Sequence, residues 1–189
     1  PRWMHVLPNG DVLVAETNKP PPGEGAPSGL KRKVMGWVMS RAGAGVPSPN
    51  RITLLRDADG DGVAEVRSVF ADQLMSPFGM ALVGQHVYVA NADAIVRFAY
   101  TEGATKVEGP PQAVAALPGG PLNHHWTKSL IASRDGKRLY VGVGSNSNVG
   151  ENGMEMEEGR AAIWQIDLDV SGGGKGKVFA GGLRNPVGM

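Results

Sequence analysis

Three segments of the chain carry side chains whose types and spacing suit chemistry. In Asn123-His124-His125-Trp126, two of the four histidines stand side by side between the turn signals of Pro118-Gly119-Gly120-Pro121 and a strand-like run from Ser129. A loop entering a strand presents an imidazole at the rim of a rigid sheet, where it can exchange a proton near neutral pH. A packed or surface histidine pair beside a packing tryptophan has the same local sequence. The second segment is Asp57-Ala58-Asp59-Gly60-Asp61-Gly62-Val63-Ala64-Glu65. Carboxylates at alternate positions, with glycine after the third, let one tight loop turn several hard oxygens onto Ca2+. Asp57, Asp59 and Asp61 are the candidate direct ligands, joined by the Val63 carbonyl and by Glu65 through water. Ser68 stands where an EF-hand would place its bidentate glutamate, and strands flank the loop, so the reading is a DxDxDG calcium loop outside an EF-hand. An acidic hairpin turn without metal fits the same residues, and either role is structural. The third segment is Arg184-Asn185-Pro186. Proline sets the chain direction after Asn185, and an arginine fork can stabilise negative oxygen while His125 accepts a proton.

Other polar motifs carry less. Gly142-Val143-Gly144 and Gly172-Gly173-Gly174 open no helix after a core strand and fail the context test for nucleotide binding. Ser145-Asn146-Ser147-Asn148 offers groups for a sugar or cofactor, or simply a solvated turn. No GxSxG elbow and no HxExH-type metal set is present. His5 and His86 fall within or beside strands and read as packed or surface residues. Trp3, Trp126 and Trp164 read as packing rather than substrate stacking.

The elements that must position these groups are strands. Trp3 to Leu7, a Pro8-Asn9-Gly10-Asp11 turn and Val12 to Glu16 form a hairpin, because Asn-Gly accommodates positive φ. Residues 18–50 read as a long irregular insertion rich in proline and glycine, with a short helix or buried strand over Val34 to Met39. Strands follow over Arg51 to Leu55, Val63 to Phe70, Pro77 to Leu82, His86 to Asn91, Ala94 to Tyr100, Gln112 to Leu117, Ser129 to Ala132, Leu139 to Gly144, Ala161 to Asp167 and Lys177 to Ala180. Met4 to Ala15, Gly79 to Ala90 and Ser129 to Gly142 repeat one theme of apolar strand, polar turn and Val/Leu-rich strand. Repeats of this kind predict an all-β chain of propeller blades, about three of the roughly four to eight that close a ring. A β-sandwich satisfies the same strand pattern.

Composition excludes several classes. Lys+Arg total 19 against Asp+Glu 18, a formal charge of +1, so no global basic footprint for nucleic acid exists, and Lys31-Arg32-Lys33 reads as a solvated loop face. With no cysteine, disulfides, thiolate zinc sites and thiol catalysis are absent. No apolar run of about 18 or more residues predicts a transmembrane segment. The chain starts on Pro1-Arg2-Trp3 without an initiator methionine and ends on Asn185-Pro186-Val187-Gly188-Met189. The expectation is a single partial propeller domain over 1–189, cut from a longer polypeptide whose signal peptide lies elsewhere.

Met4-His5-Val6-Leu7-Pro8-Asn9-Gly10-Asp11-Val12-Leu13-Val14-Ala15-Glu16-Thr17, Leu55-Arg56-Asp57-Ala58-Asp59-Gly60-Asp61-Gly62, Asn123-His124-His125-Trp126-Thr127-Lys128 and Gly182-Leu183-Arg184-Asn185-Pro186 run in order along nearly the whole chain. Together they resemble the glucose/sorbosone dehydrogenase family of soluble quinoproteins, closest to L-sorbosone dehydrogenase-like proteins. The resemblance implies a six-bladed propeller holding pyrroloquinoline quinone (PQQ) with Ca2+, a sugar or aldehyde substrate, an electron acceptor, and a periplasmic or secreted location. It implies His125 as catalytic base, Arg184 near the quinone and the reacting oxygen, and Asn185 as a cofactor contact. Ser145 stands where that family carries an acidic residue supporting the histidine. The family's quinone-contacting glutamine has no clear match near Met75-Ser76-Pro77, and its cofactor calcium ligands are expected beyond Met189, so the Asp57 loop is a separate candidate site. A noncatalytic propeller that binds carbohydrate or protein is the competing reading.

Overall fold

The Asn9-Gly10 turn is built as its residue types require: Gly10 has φ 88°, and Asn9 and Asp11 brace each other through Asn9 Nδ2 and Asp11 Oδ2 at 2.9 Å. It joins Trp3–Val6 (β1) to Val12–Glu16 (β2), which pairs with Arg51–Arg56 (β3) and then Val66–Ala71 (β4). A second sheet follows from Met80–Val83 (β5), His86–Ala90 (β6), Ala94–Ala99 (β7) and Glu108–Ala116 (β8). The third is Leu130–Ala132 (β9), Arg138–Val143 (β10), Ala162–Asp167 (β11) and Lys177–Ala180 (β12). Each sheet is a four-stranded antiparallel meander in chain order, and the three resemble propeller blades. This computed structural model describes residues 1–20, 48–120, 123–168 and 176–188, with Val34, Trp37, Val38, Arg41 and Gly174.

Period-two alternation decides how the sheets stack. One face of the first sheet presents Leu13, Ala15, Ile52 and Leu54 to Met80, Val87, Val89 and Phe98 of the second, all buried. The opposite face of the second sheet sends Ala81, Tyr88, Ala90 and Ile95 against Leu130, Leu139, Val141 and Ile166 of the third. Each fully buried aliphatic side chain contributes roughly 1.5–3 kcal/mol relative to exposure. The middle sheet is thus covered on both faces, as the central member of a stack must be. The outer faces remain open: Met4 and Val6 are exposed on the first sheet, and Ile131 and Phe179 on the third.

Several elements differ from expectation, among them β5, which starts at Met80 and not Pro77. β4 starts at Val66 and not Val63, because the Val63 N–H is captured by Asp61 Oδ1 at 2.7 Å inside the acidic loop. β8 starts at Glu108, earlier than Gln112, and contains Pro110 and Pro111. The pairing with β7 passes from Gln112 opposite Arg97 to Glu108 opposite Ala99, so both prolines fall in a register irregularity on an outermost strand, where their missing N–H groups cost no ladder bond. The polar loop after β10 contains a 3-10 turn, Met154–Glu157. The basic Lys31-Arg32-Lys33 and half of the segment over Val34 to Met39 lie outside the described residues, while Val34, Trp37 and Val38 are helical and exposed, which removes the buried-strand alternative. The ends of the long insertion come together where Asn18 N–H donates to Ser48 Oγ at 2.9 Å.

Candidate functional site

A meander places its first and third connections at one end of the sheet, and the second connection and the crossover to the next sheet at the other. The segments before β5 and β9 touch, with Gly79 N–H donating to Lys128 O at 3.0 Å, and Trp3 lies 5.1 Å from Phe78 between ring centroids. The starts of the three first strands therefore share one end. The His125 segment, between β8 and β9, the β10–β11 loop and the Arg184-Asn185 segment after β12 all belong there. The acidic loop between β3 and β4 belongs to the other end, beside the half-buried Arg56–Asp11 ion pair and Gly103, whose carbonyl accepts from Arg56 Nη2 at 2.9 Å.

His125 is half-buried, and its Nδ1 lies 3.0 Å from Ser145 Oγ and 3.1 Å from Ser145 O. The Ser145 hydroxyl proton is already donated to Ser147 O at 2.7 Å, so both oxygens facing the ring act as acceptors. This assigns the proton to Nδ1 and leaves Nε2 as the basic nitrogen. Ser145 thus orients the ring as an acidic residue would, without supplying negative charge to support an imidazolium. Ser145 N–H donates to Arg184 O at 2.8 Å, joining the histidine's support to the Arg-Asn-Pro segment.

Gly144 permits this convergence. A Cβ there would lie 2.4 Å from His125 Cβ and 2.7 Å from Asn185 Oδ1, closer than packed atoms tolerate. Asn185 Oδ1 is buried and has no hydrogen-bond partner among the described residues. His125 and Asn185 line one cavity of about 370 Å³ with Arg2, Phe78, His124, Trp126, Thr127 and Val187. The Arg2 guanidinium lies 5.6 Å from the Trp126 ring centroid, a cation–π distance, and Trp126 meets Phe78 edge-on. Among the described residues, no carboxylate lines this space.

Arg184 reaches the same end but is exposed and does not line the cavity; its Nη2 donates to Asn148 Oδ1 at 2.7 Å. Asn148 Nδ2 lies 3.2 Å from His124 Nε2, so His124 serves a polar chain at the rim. The loop carrying Ser145 is clamped by Glu157, which accepts from Asn146 N–H at 2.6 Å, Ser147 N–H at 3.0 Å and the Ser147 hydroxyl. Burial raises the Glu157 carboxyl, but these donors, the Ser147 hydroxyl foremost, outweigh it and hold the group below its usual range. Sequence reasoning missed Glu157; its only signal was a carboxylate in a loop dense with serine and asparagine amides.

At the far end, one carboxylate oxygen from each of Asp57, Asp59, Asp61 and Glu65 falls within 4.8 Å of the others, all four residues being exposed. Asp57 accepts from Gly62 N–H at 2.8 Å and Gly60 N–H at 2.7 Å, and these bonds, led by Gly62, hold its carboxyl below the ordinary value. Glu65 Oε2 accepts from Ala58 N–H at 2.7 Å, closing the loop on itself. Val63 is exposed in this loop. His5 pairs with Leu13 in the first sheet, and burial pushes its imidazole down.

No curated protein matches the chain. Among solved structures, the holo form of the pyranose dehydrogenase PQQ domain from Coprinopsis cinerea has a TM-score of 0.69 at 19% identity, over 100% of this chain and 40% of that one. Iodide and calcium structures of a carbohydrate-active enzyme of family AA12 from Trichoderma reesei each have a TM-score of 0.69 at 18% identity, with 100% of this chain covering 41% and 42% of theirs. The chain therefore spans about 40% of the length of the solved structures it resembles. These likenesses establish the all-β blade architecture and do not single out the sorbosone dehydrogenases. A family model described as TrAA12-like matches residues 48–189, a stretch holding β3 to β12 and the His125, Ser145 and Asn185 segments, and the chain accordingly belongs to the TrAA12-like family.

Proposed function

We propose that the complete protein is a PQQ-dependent sugar dehydrogenase, an oxidoreductase that oxidises an aldose or sugar aldehyde, sorbosone-like in class, and passes the electrons to an external acceptor. The observation carrying this reading is the shared cavity, which His125 and Asn185 line together, with the His125 Nδ1 held by Ser145 and Nε2 left as the basic nitrogen. A planar, polyanionic quinone fits the donor set: Arg2 and two histidines line the space with no carboxylate among the described residues, and Phe78 and Trp126 add apolar walls. Held by Arg2, the histidines and Asn185, PQQ would supply a two-electron acceptor for the substrate's hydride. His125 Nε2 accepts the substrate hydroxyl proton, Ser145 holds the ring in that tautomer, and Asn185 orients the bound groups. Arg184 stabilises developing negative oxygen once its side chain turns from Asn148 toward the cavity. In this reading the parent is a six-bladed, periplasmic or secreted propeller, and further blades cover the open faces at Met4 and Phe179.

Ca2+ belongs in the proposal twice. The cofactor's calcium ligands are assigned to parts of the parent outside this chain. The loop of Asp57, Asp59, Asp61, the Val63 carbonyl and Glu65 is a separate structural site at the opposite end. Calorimetry should show Ca2+ uptake by the complete protein that loses one site in Asp59→Ala; equal uptake by both proteins would reject the assignment.

Two observations favour a second reading, a noncatalytic propeller that binds carbohydrate or protein. Ser145 gives His125 no charged support, and the Arg184 guanidinium is engaged at the rim. Reduction of an artificial acceptor by the complete protein, given PQQ, Ca2+ and an aldose, separates the two. Turnover supports the dehydrogenase, whereas folded protein that neither binds PQQ nor turns over sinks it.

A further inference from the structure

Lys128 is fully buried, at 0% exposure, at the foot of β9 and three residues past His125. A lysine in this position is costly, since an ammonium leaves water only where the fold compensates it. Its Nζ turns back to donate to the Trp126 carbonyl at 3.2 Å. Its own carbonyl accepts from Gly79 N–H of the neighbouring sheet. Gly79 is kept small by this contact, because a Cβ there would lie 2.6 Å from Lys128 O and 2.4 Å from Leu130 N. Charged groups reach Lys128 from both flanking sheets: Asp93, in the β6–β7 connection, attracts the ammonium, and Arg160, before β11, repels it. Desolvation dominates and brings its pKa down to about 7.

Arg160 is itself committed, donating to Asn123 Oδ1 at 3.0 Å and to the Gly119 carbonyl. The connection from β8 to β9 is therefore fastened at Asn123 by Arg160 and at Trp126 by Lys128, on either side of His125. We propose that Lys128 is a positioning residue for the His125 cavity, its buried side chain fixing the Trp126 carbonyl and so the backbone that carries His125 and the indole that walls the cavity. Lys128 lies outside the cavity lining and acts through Trp126. The part of this inference that concerns cofactor affinity rests on the quinone reading above.

The test uses the complete protein with Lys128→Met and Lys128→Arg, reading the His125 ring by NMR titration and PQQ affinity by equilibrium binding. Loss of the Nζ hydrogen bond to the Trp126 carbonyl predicts PQQ affinity weakened roughly tenfold in Lys128→Met. A displaced His125 titration midpoint should accompany it, and Lys128→Arg, which keeps a donor at this position, should restore both. A folded Lys128→Met protein with the wild-type midpoint and affinity overturns the proposal. If that variant does not fold, an unchanged midpoint and affinity in folded Lys128→Leu, which likewise removes the donor, overturns it equally. Should wild-type protein bind no PQQ, the quinone reading fails while the His125 titration still decides the role of Lys128.

Discussion

His125→Ala in the complete protein is expected to lower sugar-dependent turnover by about 10²–10⁴-fold, the range for losing one positioned general base. PQQ binding should weaken far less, since His125 is one of several side chains lining the cavity. The expectation follows from the ring's environment. Two acceptor oxygens of Ser145 hold Nδ1–H, so Nε2 is the nitrogen available to take a proton. His124 offers no substitute, because its ring is exposed and paired with Asn148. Steady-state rates at saturating PQQ are the measurement, and a variant that keeps wild-type turnover removes His125 from the chemistry.

Gly144→Ala is expected to have the second largest effect, and it acts without deleting any functional group. The added Cβ would meet His125 Cβ, the His125 carbonyl and Asn185 Oδ1 at 2.4, 2.9 and 2.7 Å. Two of these atoms belong to or adjoin the main chain and cannot swing aside, so the His125 and Asn185 segments must separate. Overpacking of this kind costs roughly 1–3 kcal/mol of stability. Separating the two cavity walls should weaken PQQ binding by about tenfold or more. Gly188→Ala is the matched control, because a Cβ there meets nothing within 4 Å and should leave stability and binding unchanged. Denaturant titration with PQQ binding on both variants checks the pair; equal behaviour of the two would mean that close approach at Gly144 does not shape the cavity.

The strands were legible because each carries its own local cause. Asn9-Gly10, Gly84-Gln85 and Asp135-Gly136 mark tight turns, and apolar alternation in Arg51–Arg56 or Ala94–Ala99 fixes which face is buried. The repeated hairpin theme gave the blades, since each copy became the first pair of strands of one sheet. Boundaries were lost where side chains competed for the backbone, as at Val63, or where an edge strand tolerated proline, as in Glu108–Ala116. The motif residues His125 and Asn185 were legible as types. Their contact was not, because it depends on the absence of a side chain at Gly144, a residue that reads as an ordinary strand end. Lys128 and Glu157 had no local signature either: full burial makes Lys128 structural, and bonds across its loop to Asn146 and Ser147 make Glu157 so.

The most direct test of the central claim is a crystal structure of the complete protein grown with Ca2+ and PQQ. The cavity account predicts the quinone lying against His125 and Asn185, with Asn185 Oδ1 newly hydrogen-bonded and Arg184 turned toward the reacting oxygen. A quinone bound elsewhere on the propeller, or a cavity left without quinone at saturating concentration, would contradict it.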